Sequence, residues 1–189
     1  AAPEGPAPSL DPQRRVDGQS PLNPEAWGAY AQSTARRLVR AELKKEATHV
    51  GQVLGLEVVR KLVNQVAQDP RLLVPVRESI VALEPSLLRL AMVDPRFFSE
   101  ETHPGRRLME RVAQRSFKYE DTESSEFQSF FESVRKSFTS LNALKIDSAQ
   151  PFNSALAVLE DDWNQRDSEE EARQHELLHG LRFAEERQG

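Results

Sequence analysis

Apolar residues recur at three- and four-residue steps along nearly the whole chain after Asn23, which is the period of an α-helix with one buried face. Asn23-Pro24 supplies an N-cap and a first-turn proline. Trp27, Tyr30, Thr34, Leu38 and Ala41 then predict a helix ending near Lys45. From Thr48 to Gln68 the series Val50, Leu54, Val58, Leu62 and Val66 is widened by Val53, Val59 and Val63. An apolar surface that broad implies burial on more than one side, so this is the expected central helix. Asp69-Pro70 opens a third helix with Leu72, Leu73, Val76, Ile80 and Leu83, and Pro75 shifts its start. Glu84-Pro85 predicts a kink or break before Leu87, Leu88, Leu90 and Ala91.

Asp94-Pro95 closes that stretch, Phe97-Phe98 follow as an anchor into the core, and His103-Pro104 starts a helix with Leu108, Met109 and Val112 facing inward. His103 is expected to cap or turn the chain there. After a polar break from Glu120 to Ser125, the residues Phe127, Phe130, Phe131, Val134, Phe138, Leu141 and Leu144 form the cleanest amphipathic face. Asp147 or Ser148 caps a helix bearing Phe152, Leu156, Leu159 and Trp163, and a separate charged helix begins near Ser168. Period-two alternation and hairpin turns are missing. The expectation is an all-α fold of about seven helices in an irregular bundle or a short stack of helical hairpins. Its core aromatics are Phe97, Phe98, Phe127, Phe130, Phe131, Phe138 and Trp163. Residues 1–23, with five prolines and few large apolar side chains, read as a disordered leader or linker, and residues 24–187 as a single helical domain.

Composition narrows the function. The 189 residues include no Cys, which excludes disulfides and thiolate chemistry. No run approaches the roughly 18 apolar residues of a membrane span, so no membrane insertion is expected. The net charge of −5 argues against a nucleic-acid binder. That charge is split: residues 1–118 carry 18 basic against 14 acidic side chains, and residues 119–189 carry 7 against 16.

Two constellations carry possible chemistry. His175-Glu176-Leu177-Leu178-His179 matches H-E-x-x-H, which on a helix puts two imidazoles on one face for zinc, with the glutamate to activate water. The longer form with a third histidine is absent, so a charged surface helix is the expected reading, and zinc-dependent hydrolysis is the alternative. Arg107, Arg111, Arg115 and Lys118, with Arg106 beside them, form a basic stripe suited to an anionic ligand such as a signalling nucleotide, or to an acidic partner. Neither a phosphate-binding glycine loop nor a nucleophile elbow is present.

The segments Leu83-Glu84-Pro85-Ser86-Leu87-Leu88-Arg89-Leu90-Ala91, Asp94-Pro95-Arg96-Phe97-Phe98 and His103-Pro104-Gly105-Arg106-Arg107-Leu108 resemble a bacterial domain of unknown function, family 1631. The similarity extends from about residue 48 to 187, with alanine usual in the family at the place of Gly105. The resemblance implies a helical internal segment of a much longer protein that ends in a small β-rich module. It implies no assigned catalytic residue. A "thymidine phosphorylase" label sometimes attached to the family does not suit this chain, whose isolated glycines and lack of strands offer no phosphate cradle. The function expected is therefore a non-catalytic, cytoplasmic scaffold or protein-interaction segment without a cofactor. It would contact a protein partner or other domains of its own chain.

Overall fold

The computed structural model describes residues 14–188, and among them there is no strand. Six long helices carry the fold: α2 (Ser33–Glu46), α3 (Val50–Ala67), α4 (Val74–Val93), α6 (Pro104–Ser116), α7 (Ser125–Ala143) and α8 (Gln150–Gln188). Two single turns, α1 (Pro24–Trp27) and α5 (Arg96–Ser99), complete the α-helical set, and a 3₁₀ turn spans Gly28–Ala31. The described residues up to Leu156 and those from Ala157 onward form two compact units, and α8 contributes to both.

The axis of the first unit is α4, not α3. Every residue of α4 from Val76 to Ala91 except Arg89 is buried. Helices α2, α3, α6 and α7 all pack on it. The close approach of α3 depends on small residues, because a Cβ at Gly55 would lie 3.1 Å from that of Ala91. Only one face of α3 is covered, by Leu56, Val59, Val63 and Ala67. Of its remaining apolar residues Val58, Leu62 and Val66 are half-buried, and Val50, Val53 and Leu54 are exposed, Val50 to 76% and Val53 to 49%. The breadth of its apolar surface therefore reflects a helix covered by α4 and in part by α5, with its N-terminal turns left open, rather than centrality.

No break occurs at Pro85, and α4 continues through it to Val93. The proline has no N–H, so the carbonyl one turn earlier loses its usual donor. Asn142 of α7 clasps α4 at this point: its Nδ2 donates to the Ala82 carbonyl at 3.0 Å, and Ser86 Oγ donates to its Oδ1. At the far end of α4, Gln52 Nε2 donates to the Met92 carbonyl at 3.0 Å.

The expected first helix is interrupted at Gly28, whose φ of 57° is a left-handed conformation that ends α1. Leu38, expected on the inner face, is exposed, and the one buried residue of α2 is Arg36. The two expected C-terminal helices are one continuous helix of 39 residues. Phe97, Phe127, Phe130, Phe138 and Trp163 are buried as expected, whereas the side chain of Phe98 lies outside the described residues. Phe131 is half-buried, stacked on Phe127 at 6.2 Å and edge-on to Trp27 at 6.0 Å, so it belongs to the rim of the core.

Residues 1–13 of the expected leader lie outside the described residues. Residues 14–23 are not loose. Val16 and Leu22 are buried, and the Gly18 amide donates to Asn64 Oδ1 of α3 at 2.8 Å. Polar anchors offset the shortage of apolar surface that composition registers.

Candidate functional site

The buried ionisable groups come first, because buried charge is costly unless paired. Arg36 sits wholly inside and threads between the N-terminal segment and the 3₁₀ turn. Its Nη1 donates to the carbonyls of Tyr30 (2.6 Å) and Ala31 (3.0 Å), and its Nη2 donates to those of Gly18 (3.3 Å) and Ser20. Burial pushes its pKa down to about 10, which leaves it charged at neutral pH. Glu84 in the middle of α4 pairs with Arg40 of α2, and Glu78 pairs with Arg14. Arg77 donates from Nε to the Leu72 carbonyl at 3.0 Å and from Nη1 to the Arg14 carbonyl at 2.9 Å.

The D-P-R-F-F…H-P-G stretch is built in the same way. His103 is buried at the N-cap of α6, where its Nδ1 accepts the Gly105 amide at 3.2 Å. That acceptor role leaves the ring proton on Nε2, which faces Asp94 Oδ2 at 3.0 Å. Arg96 grips the same carboxylate through Nε at 3.0 Å and Nη2 at 2.8 Å. These hydrogen bonds, those of Arg96 before that of His103, hold the Asp94 carboxyl well below the usual carboxylate range. Both ring nitrogens of His103 are thus occupied in closing the turn between α4 and α6. Gly105 sits where a Cβ would meet Leu90 at 2.7 Å and Phe97 at 2.9 Å, so in this chain the motif works as a close-packed helix start.

Arg106, Arg107, Arg111 and Arg115 of the basic stripe lie on α6, whereas Lys118 falls in the turn beyond the helix end at Ser116. Arg107, Arg111 and Lys118 are exposed, and Arg106 and Arg115 are half-buried. Arg106 turns toward the Phe97 carbonyl at 3.4 Å, Arg111 donates to Gln114 at 2.9 Å, and Arg115 lies over the Tyr119 ring with Nε 3.3 Å from its hydroxyl. The stripe is therefore a real outer face, partly engaged by its own helix and its neighbours. His175, Glu176 and His179 all lie on the exposed part of α8 within the second unit. Among the described residues no group of three His, Asp or Glu side chains is placed to hold a metal ion.

Sequence reasoning missed a cleft between α2 and α3. Both helices rest on α4, and they leave a cavity of about 480 Å³ between them. Ser33, Arg37, Arg40, Ala41, Lys44 and Ala47 form one wall, and Val53, Leu56, Glu57 and Arg60 form the other. Leu88 of α4 forms part of the floor and Gln19 also lines the cavity. The volume falls in the usual range for binding sites. Two features of the sequence could have revealed it: an α3 too apolar for one interface, and Arg37, Arg40 and Lys44 on one face of α2. A second cavity is lined by Trp27, Phe127, Phe131, Glu120 and Asp121, among others, and accounts for the partial exposure of Phe131.

Residues 11–144, well over half of the chain, match the family described as "Protein of unknown function (DUF1631) 2nd domain". The match begins earlier and ends earlier than the motif resemblance implied, so it takes in the packed N-terminal segment and leaves out α8. Comparison with curated proteins and with solved structures gave no match.

Proposed function

The chain belongs to the DUF1631 family and carries its second domain, and we propose that it works as a non-catalytic helical scaffold and protein-interaction segment of a larger, cytoplasmic bacterial protein. The observation that carries this reading is the engagement of the interior ionisable groups. Arg36, Arg77, Glu78, Glu84, Asp94 and His103 are buried, and each holds together two stretches of backbone or two helices. A general acid, base or nucleophile needs an atom directed at a substrate. These groups direct theirs at the fold.

The outer surface supports the reading from the other side. Exposed Leu38, Val50, Val53 and Leu54 on α2 and α3, and Leu177, Leu178 and Leu181 on α8, are apolar area suited to contact with other chains or domains. Photoreactive residues placed singly at Leu38, Arg107 and Leu177 of the whole protein, in the cell that makes it, test the proposal. Discrete adducts to one protein or one further domain, differing between positions and missing from a probe at buried Leu83, are the expected result. A turnover reaction that follows the purified chain and disappears with one side-chain substitution would overturn it.

A further inference from the structure

The cleft between α2 and α3 combines three properties rarely found together on a surface. The first is unneutralised positive charge. Arg40 is held by Glu84, but Arg37, Lys44 and Arg60 make no hydrogen bond or ion pair with any described residue. Against them the cleft sets Glu57 as an opposing charge. The second is an apolar lining: Leu56 and Leu88 are its buried part, Leu88 belonging to the innermost helix, and Ala41, Ala47 and Val53 continue it up the walls. The third is shape. The α2 wall from Ser33 to Ala47 is about 21 Å long at the rise of an α-helix, and two helices that rest on a third without closing on each other leave a trough.

We propose that this trough is a docking groove for an acidic amphipathic helix of a partner protein. The inference rests on the protein-interaction reading above and names the chemistry of one partner. A helix laid in a groove presents apolar residues to the floor at three- and four-residue steps, and its flanking positions meet the walls. Arg37 and Lys44, the two cations of the α2 wall that Glu84 does not hold, lie seven residues apart, so carboxylates two turns apart on the ligand fall opposite them. A small polyanion would leave the apolar floor uncovered. A flat anionic lipid surface would meet the rim cations but not the floor, since Leu88 lies beneath both walls. Only an elongated ligand with acidic flanks and an apolar ridge matches the rim and the floor together.

Fluorescence anisotropy on the full chain tests this with a labelled synthetic helix of about five turns, with Leu along one face and Glu on both flanks. Saturable binding that weakens as salt is raised is expected. The double variant Arg37→Glu with Lys44→Glu should weaken it roughly tenfold or more, and Arg107→Glu with Arg111→Glu on α6 by less than about twofold. Ala41→Trp, which adds bulk to the α2 wall and leaves the charges alone, should also block binding. The same peptide with Lys in place of Glu should not bind. No binding, equal binding of the Lys peptide, or indifference to both cleft variants would overturn the inference. So would anionic lipid vesicles that bind through Arg37 and Lys44 and are not displaced by the peptide. If the peptide fails while photo-crosslinks at Arg107 or Leu177 capture a partner, the groove assignment falls and the scaffold reading stands.

Discussion

Replacing Arg36 with Met is the most revealing single change, because this side chain anchors a segment that hydrophobicity alone would leave free. Its guanidinium serves four carbonyls, of Gly18, Ser20, Tyr30 and Ala31, while its Nε has no partner among the described residues. Hydrogen bonds to a charged group contribute about 1.5–3 kcal/mol each, but they are not additive, and the ion's own desolvation works against them. Removal leaves the carbonyls of Tyr30 and Ala31 without this donor, and those of Gly18 and Ser20 recover water only if the segment lifts off. The expected loss is roughly 3–5 kcal/mol, a large share of the 5–15 kcal/mol that stabilises an ordinary domain. Urea unfolding should show a clearly lower midpoint. Brief trypsin treatment should cut after Arg15 much faster in the variant than in the parent. Arg36→Lys should fall between the two, since one ammonium cannot fork across both pairs of carbonyls. A loss below about 1 kcal/mol with unchanged trypsin resistance would refute the reasoning.

Phe138→Ala should cost about 3–5 kcal/mol in the same unfolding assay, because its ring is fully buried, whereas Phe131→Ala should cost about half as much or less. Asp94 has a folded-state pKa depressed by Arg96 and His103, so its contribution is complete above the unfolded carboxylate value near about 4 and is lost as pH falls through the lower folded value. Asp94→Asn should therefore be less stable than the parent at neutral pH and lose less stability on acidification below about pH 4, read from unfolding midpoints across the acid range. Metal analysis of chain purified without chelator should find well under one zinc per molecule, unchanged in His179→Ala. Stoichiometric zinc lost in that variant would make His175, Glu176 and His179 a metal site.

Much of this architecture was legible because helix signals are local. Asn23-Pro24 and His103-Pro104 do mark helix starts, and Phe127, Phe130, Val134, Phe138 and Leu141 are buried as their spacing requires, while Phe131 is half-buried and Leu144 exposed. The failures share a cause: the deciding partner lies far away in sequence. Pro85 reads as a kink or break, yet α4 runs on through it, packed against α7 with Asn142 bonding the backbone nearby. The segment around Val16 reads as a linker until Asn64 and Arg36 hold it. The apolar breadth of α3 reads as centrality, whereas α4 is more completely buried while carrying Arg77, Glu78 and Glu84, which composition counts against an interior helix. The cleft was hidden for the same reason. Arg36 and Arg37 are adjacent in sequence and similar in chemistry, yet one is buried in the fold and the other faces the trough.

Native-state hydrogen exchange read at single amides bears hardest on the claim that interior charges lock the N-terminal segment and α4 into one cooperative body. The amides of Ile80 to Glu84 and Ser86 to Ala91, together with those of Gly18 and Leu22, should exchange only by global unfolding, with a free energy equal to that from urea. Exchange of Gly18 and Leu22 at the rate of an unstructured peptide, or local opening of α4 around Pro85, would contradict it.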